Sequence, residues 1–533
     1  MAEADAQGEG TLKRTLGVTA LTLLGVGAVI GTGIFVLTGQ AAGRHAGPAV
    51  VVSMIIAGVV SALAALCYSE FASSVPVSGS AYTYGYATMG EFIAWIIGWD
   101  LILEYAFGAA TVAAGWSGNV ISLLADLGIN FPVTLSAAPG TKFVYLTETV
   151  AGQLTNVRIG DTILNPSAGY CVLTAEMTQA LQQAGLNVTV QTAVFNLPAF
   201  LLAIAVTALL VRGIRESANF NSVIVIIKVA VVVLFIIAGV GFVNTHYLGM
   251  GCQPGVGDCI PFMPQNTGVF GQYGYSGILT GAAVIFFAYI GFDAVSTASQ
   301  EAKDPQRDMP RAILGSLIIC TILYILVAAI MVGLVPYSQL KDEAAPIAAA
   351  ITAASEMAAQ DSFIGVLLRS FSIIIKVGAV LGLSSTMVVQ MMGQPRVFYS
   401  MAKDGLLPAW AAKIHPRYRT PHVTTILTGC IVALMGALVP ISMLGELVSI
   451  GTLFAFVIVS VGIIVLRKTQ PDLPRPFKVP FSPVIPILSA GASLYLMYGL
   501  PFDTWMRLIV WMAIGVVIYF VYGRKHSKLR DQG

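Results

Sequence analysis

The chain has 533 residues, 56% of them hydrophobic and only 10% charged. Soluble domains carry about 25% charged residues, so the composition excludes a soluble globular protein and indicates a polytopic membrane protein. A net charge of +2 favours no acidic or basic partner, and no nucleic acid is expected.

Twelve apolar segments follow in chain order: 17–41, 48–72, 89–126, 194–212, 221–243, 277–298, 311–335, 363–396, 421–440, 443–466, 483–501 and 504–522. A helical span needs about 20 apolar residues, and the longer segments imply tilt or extension beyond the lipid. The expectation is an all-α protein of twelve transmembrane helices. The first dozen residues are polar and the first apolar run is a full span, so no cleavable signal peptide is expected. Lys13, Arg14, Arg212, Arg215, Lys303, Arg307, Arg396, Lys403, Arg467, Lys468 and the tail Arg524 to Arg530 fall on one side. The opposite loops hold only Arg44, Lys142, Arg158 and Lys341. The positive-inside rule then puts both termini in the cytoplasm, in a plasma membrane or bacterial inner membrane.

Segments 1–5 and 6–10 make two sets of five, and an odd number per set forces opposite crossing directions. The expected organisation is a cytoplasmic segment 1–16, a first repeat 17–243, a second repeat 277–466, two peripheral helices at 483–522 and a cytoplasmic tail 523–533. Loop 127–193 is outer, polar and too long to lack structure of its own. A small external cap is predicted, with strands at Lys142–Leu146 and Val188–Gln191 and a helix over Thr174–Leu186. Cys67, Cys320 and Cys430 lie in apolar segments as packing residues. Cys252 and Cys259 share one turn-rich outer loop, where a disulfide is expected. No His or further Cys stands beside them to favour a metal instead.

Segments 1 and 6 carry glycine-broken stretches, Gly25 to Phe35 and Gly281 to Asp293. A helix broken at membrane depth survives only where it lines a cavity or binds something. Breaks in matching positions of two repeats point to a transporter's substrate site. The same glycines would also serve close helix packing. Lys228 sits in Ile226-Ile227-Lys228-Val229-Ala230, seven residues past Asn221, roughly 10 Å of helix rise. A lysine at membrane depth costs about 2.5–3.5 kcal/mol on insertion scales and is a candidate proton carrier; snorkelling to the interface is the alternative. Asp100 and Glu104 lie one turn apart, Asp293 follows the second break, and Tyr324 is in segment 7. Glu70 and Arg396 are candidates for an inner ion pair.

An ordered set of motifs runs along nearly the whole chain: Gly31-Thr32-Gly33-Ile34-Phe35, Tyr68-Ser69-Glu70-Phe71, Trp99-Asp100-Leu101-Ile102-Leu103-Glu104-Tyr105, Gly291-Phe292-Asp293, Pro395-Arg396-Val397-Phe398-Tyr399, Lys403-Asp404-Gly405-Leu406-Leu407-Pro408 and Leu473-Pro474-Arg475-Pro476-Phe477. This set resembles the amino acid–polyamine–organocation superfamily, and within it the cationic amino acid transporter family and its bacterial relatives. The long loop 127–193 exceeds the family pattern.

The resemblance implies a LeuT-like 5+5 inverted repeat with helices 1 and 6 broken. Thr32 and Gly33 would hold the substrate carboxylate, and the carbonyls of Val29, Phe287, Ala288 and Ile290 its ammonium. Ile30 and Gly31 complete the stretch, and Phe287 would be an aromatic gate. The Lys228 ammonium would replace a sodium ion between segments 1 and 8, beside carbonyls near Gly27 and Ile30 and the hydroxyls of Ser384 and Ser385. Glu104, Asp293 and Tyr324 would form a proton-linked polar network. Glu104 could instead meet a cationic side chain, or all three could simply tie helices together.

The expected function is a secondary importer of L-amino acids, neutral and broad, working by alternating access, proton-coupled and sodium-independent. A uniporter or exchanger with Lys228 as a fixed cation is the alternative; an enzyme or receptor is less favoured. No segment carries a Ser/His or metal-ligand cluster, and no GxxxxGK[ST] pattern marks an ATP-driven pump. Expected partners are amino acid, protons and lipid; a small membrane subunit is left open, and no cofactor is expected.

Overall fold

The computed structural model describes residues 16–74, 80–155, 157–159, 162–164, 169–186, 188–213, 218–249, 260–297, 302–341, 343–358 and 363–528. The loop of Cys252 and Cys259 lies outside them. Among the described residues, seven helices are long and apolar enough to cross a membrane, and six shorter apolar helices accompany them. The molecule is a predominantly helical, polytopic membrane protein.

A helix occupies each of the twelve apolar segments. The first is α1 (Val18–Val29), resuming after a break as a π-helical turn, Gly33–Leu37. Next come α2 (Val50–Ser74), a short α3 (Ser80–Thr88), then α4 (Glu91–Ile102) and α5 (Gly108–Asp126), joined by a π-helical turn at Leu103–Phe107. Beyond a cap with α6 (Glu148–Leu154) and α7 (Ala175–Gln183) follow α8 (Leu197–Arg212) and α9 (Ala218–Val240). The second broken helix is α10 (Gly274–Ile285), a 3-10 turn Phe286–Tyr289, and α11 (Ala294–Thr297). The chain ends with α12 (Pro305–Leu334), α13 (Pro346–Met357), α14 (Phe363–Lys403), α15 (His422–Leu438), α16 (Ile441–Thr469), α17 (Val484–Tyr498) and α18 (Phe502–Ile518). Helices α3 and α13 fall where loops were expected. Pro346 opens α13 at its first turn, where a proline suits a helix start.

Helix α1 packs on α12 as α10 packs on α2, and α2 packs on α12. A second group joins α5, α8, α14 and α15. Helix α9 touches α1 and α14, and α16 touches α10 and α5, so these two bridge the groups. Helix α18 is fastened to α4 by indoles: Trp99 Nε1 donates to Trp511 O (2.9 Å) and Trp95 Nε1 to Gly515 O (2.8 Å).

The cap is a three-stranded antiparallel sheet in the order β4 (Gly169–Val172), β1 (Lys142–Leu146), β5 (Val190–Thr192). A hairpin of β2 (Val157–Ile159) and β3 (Thr162–Leu164) accompanies it. Thr174 caps α7 by accepting from Met177 N at 3.1 Å. Val144, Leu146, Leu154, Met177 and Leu181 form a core of the cap's own, separate from that of the helices.

Candidate functional site

The two broken helices meet at their breaks. Ile30 takes an extended conformation (ψ 99°) and ends α1. Ile290 does the same after the 3-10 turn (ψ 138°), followed by Gly291 at φ +112°, which a side chain rarely adopts. A Cβ on Gly33 would stand 2.2 Å from the Ala288 Cα, and one on Gly291 would stand 2.9 Å from the Ala28 carbonyl carbon. Small residues thus let two main chains cross in contact. Replacing Gly33 with alanine is expected to cut transport more than tenfold while the protein still elutes as a single species. Unimpaired uptake by that variant would show that the crossing does not stay this close during transport.

The first turn of a helix leaves N–H groups without intrahelical acceptors, and the turn from Gly33 restarts here inside the protein. Thr32 is fully buried, and its Oγ1 has no hydrogen-bond partner among the described residues. Phe287, in the 3-10 turn of the second break, is buried as well, and Phe286 packs edge-on against Phe456 (5.4 Å between centroids). The carbonyls are partly engaged. Val29 O accepts from the Tyr324 hydroxyl (2.8 Å), and Phe287 O accepts from Ile290 N (3.2 Å).

Lys228 is wholly buried. Its ammonium donates to Gly27 O (2.9 Å), Ile30 O (3.3 Å) and Thr386 Oγ1 (2.7 Å). Thr386 in turn donates to Ile30 O at 3.1 Å or to Gly382 O at 3.1 Å. Gly382 leaves room for the lysine stem, since a Cβ there would stand 3.0 Å from Lys228 Cγ. One side chain therefore ties the end of α1 to α9 and α14. The hydroxyl involved corrects the sequence expectation: it belongs to Thr386, not to Ser384 or Ser385. Ser384 instead donates to Val380 O of its own helix (2.8 Å), and Ser385 is half-buried. Successive residues on a helix point about 100° apart, so only one of the three can face Lys228.

Glu104 lies in the π-helical turn Leu103–Phe107, a geometry frequent at functional sites. Its carboxyl faces Asp293 and Thr452 of α16. Glu104, Asp293 and Asp100 are all buried. Tyr324 does not join them: it bonds Val29 O and packs edge-on against Tyr289 at 5.5 Å. The expected three-residue network is thus two separate contacts, an acid pair and a tyrosine on the first break.

Glu70 also departs from expectation. Its buried carboxylate accepts from Arg467 Nε (2.9 Å) and Nη2 (2.5 Å) and from Val479 N (2.6 Å), with Arg475 Nε at 3.5 Å. Arg396 is exposed and is not its partner.

A family model described as amino acid permease matches residues 16–519. The branched-chain amino acid permease BcaP of Bacillus subtilis (strain 168) is 45% identical over 528 residues, covering 99% of this chain and 97% of that protein. The methylthioribose transporter of the same organism is 41% identical over 97% of this chain and 95% of its own length. Cationic amino acid transporter 4, vacuolar, of Arabidopsis thaliana is 35% identical over 87% of this chain and 65% of its own length. With one family model spanning almost every helix, the chain belongs to the amino acid permease family of the amino acid–polyamine–organocation superfamily.

Proposed function

We propose that this protein is a secondary active transporter importing neutral L-amino acids by alternating access, coupled to protons and independent of sodium. Membership of the permease family supports amino acid transport rather than an enzyme. The observation that carries the coupling is the Lys228 ammonium on Gly27 O, Ile30 O and Thr386 Oγ1. All three acceptors are neutral, so the cation does here what a bound metal ion could do between a broken helix and its neighbour. Loss of its proton would free the end of α1 from α9 and α14. The paired packing of α1 on α12 and α10 on α2 supports a twelve-span, inverted 5+5 repeat with helices 1 and 6 broken. Both termini would lie in the cytoplasm of a bacterial inner membrane.

In this reading the substrate carboxylate meets the freed N–H groups at Thr32 and Gly33 and the unpartnered Thr32 hydroxyl. Its ammonium takes carbonyls at Val29, Phe287, Ala288 and Ile290, and Phe287 closes over it. Glu104 and Asp293 would pass a proton toward the inner side. A uniporter or exchanger with Lys228 as a fixed cation is the second reading, since all of its bonds can equally be structural. A branched-chain substrate fits the name of the 45% identical relative.

The test is L-leucine uptake into proteoliposomes without sodium, with the outside acidic and the inside neutral. Accumulation that collapses when a protonophore dissipates the gradient supports symport. Equilibration without accumulation, with fast exchange in loaded vesicles, moves the assignment to an exchanger. Methylthioribose as competitor checks the substrate class. Stronger uptake of it than of any amino acid would overturn the amino acid reading.

A further inference from the structure

The outer mouth holds a cavity of about 560 Å³, within the roughly 300–1,000 Å³ usual for small-molecule sites. Its floor is the helical transporter: Arg44 and His45 beyond the first break, Tyr273 at the start of α10, Tyr337 and Lys341 after α12. Its roof is the cap, through Glu176 in the first turn of α7. Arg44 Nε donates to Lys341 O (3.1 Å), which holds that loop against the helix end. Among the described residues, roof and floor meet where β3 packs on the turn Tyr337–Leu340 and through an ion pair, Lys341 Nζ to Glu176 Oε1 at 2.8 Å. Burial of Glu176 raises its pKa, but the hydrogen bond and charge of Lys341, its own backbone N–H and the Thr174 hydroxyl together outweigh that and hold the carboxyl below its usual value, so it is ionised at neutral pH.

Both side chains are partly open to solvent, 23% for Glu176 and 37% for Lys341. Exposed ion pairs of this kind part at little cost. The cap has its own hydrophobic core, so parting the pair does not require unfolding it. The cavity also leads inward. A second, narrow cavity of about 20 Å³ shares Arg44 and His45 and continues past Gln40 to Leu37 and Val284. Leu37 ends the helical turn that starts at Gly33, and Val284 lies in the last turn of α10. A row of two cavities thus leads from the cap toward the crossing of the broken helices and ends about a turn short of it.

We propose that the cavity under the cap is an outer waiting site for the zwitterionic substrate, which binds there by exchanging partners with the Glu176–Lys341 pair. The α-ammonium takes the Glu176 carboxylate and the α-carboxylate takes the Lys341 ammonium. One face of the cavity, the edge-on pair Tyr273 and Tyr337 (5.4 Å between centroids), offers apolar surface to the side chain. A zwitterion fits because the two walls carry opposite signs; a purely anionic or purely cationic molecule would satisfy one wall and strand the other. Opening of the cap is then a consequence of substrate arriving, and the inner site is supplied from a loaded vestibule. The assignment rests on the amino acid reading of the preceding section.

Equilibrium binding of tritiated L-leucine to the full-length protein separates the two claims. The unaltered protein gives total binding. Gly33→Ala fills the crossing of the broken helices, so whatever it still binds reports another site. The expected result is residual binding at least tenfold weaker than in the unaltered protein, abolished when Glu176→Gln or Lys341→Met is added. Should Gly33→Ala prove poorly folded, Lys228→Met protein is used for two-site analysis, with the weaker site lost on the same cap substitutions. The waiting site is overturned if the unaltered protein binds leucine but the residual site is absent or indifferent to Glu176 and Lys341. If the unaltered protein binds no amino acid at all, the functional reading itself falls and the waiting site with it.

Discussion

Lys228→Met is expected to abolish proton-driven accumulation while leaving amino acid exchange intact. One pH unit is worth about 1.36 kcal/mol per proton, enough for roughly tenfold accumulation by a one-proton symporter. The unaltered protein should approach that ratio across a one-unit gradient, acidic outside; the variant should stop near equality. Methionine matches the length of the lysine stem but gives nothing to Gly27 O, Ile30 O or Thr386 Oγ1. Ile30 O can keep the Thr386 hydroxyl; Gly27 O loses the lysine donor, which costs about 1–3 kcal/mol for a buried acceptor. That penalty is small enough for the protein to fold. Counterflow in leucine-loaded vesicles checks that it does: labelled leucine should still exchange. If the variant accumulates leucine like its parent, Lys228 is a structural tie and the cycle draws its proton elsewhere. Glu104 and Asp293 would then be the next groups to replace.

How far the sequence shows this site depends on what each residue needs from its surroundings. Lys228 stands out because an ammonium in the apolar run from Val223 to Leu234 must find partners, and the broken helix is the nearest source of free carbonyls. Its hydroxyl partner does not stand out. Ser384, Ser385 and Thr386 are consecutive, and only the rotation of α14, set by packing along 41 residues, decides which one faces the lysine. A clue exists in Gly382, one turn before Thr386, whose missing side chain makes room for the lysine stem. Tyr324 is misplaced for a similar reason: the family resemblance groups it with the acid pair, but α12 turns it toward Val29. Glycines at both breaks are legible in kind, and their mutual contact is not, since a pairing of Gly33 with Ala288 spans 255 residues. The cap shows the opposite balance. Alternation marks β1 and helical spacing marks α7, yet the ion pair of Glu176 with Lys341 follows only from how the cap sits over the helices.

Removing the Glu70 carboxylate is expected to be the most destabilising single change at its end of the helices. Glu70 is 0% exposed and holds Arg467 by two hydrogen bonds, with Arg475 alongside. It also accepts from the backbone of Val479, in the connector between α16 and α17. One carboxylate on α2 thus fastens the C-terminal end of α16, 397 residues away along the chain, and the proline-rich segment that follows it. Hydrophobic packing cannot replace it, because Glu70→Ala takes the acceptor from the Val479 N–H and both carboxylate bonds from Arg467, which keeps the Val479 carbonyl alone. Breaking one side of such a buried pair costs about 3–5 kcal/mol. The expected outcome is a melting temperature in detergent lower by several degrees or more, read by tryptophan fluorescence, with Glu70→Gln falling between because the amide still accepts from Val479. Arg467→Met should approach Glu70→Ala. Arg396→Met, on an exposed residue of α14, should leave the melting temperature within about a degree. A marked loss in Arg396→Met with little change in Glu70→Ala would reverse the pairing and return the inner contact to α14. If α2 and α16 must part for the cytoplasmic path to open, Glu70→Gln would also speed exchange relative to the unaltered protein, because a weaker tie between them lowers the cost of opening more than it lowers the stability of the helices themselves.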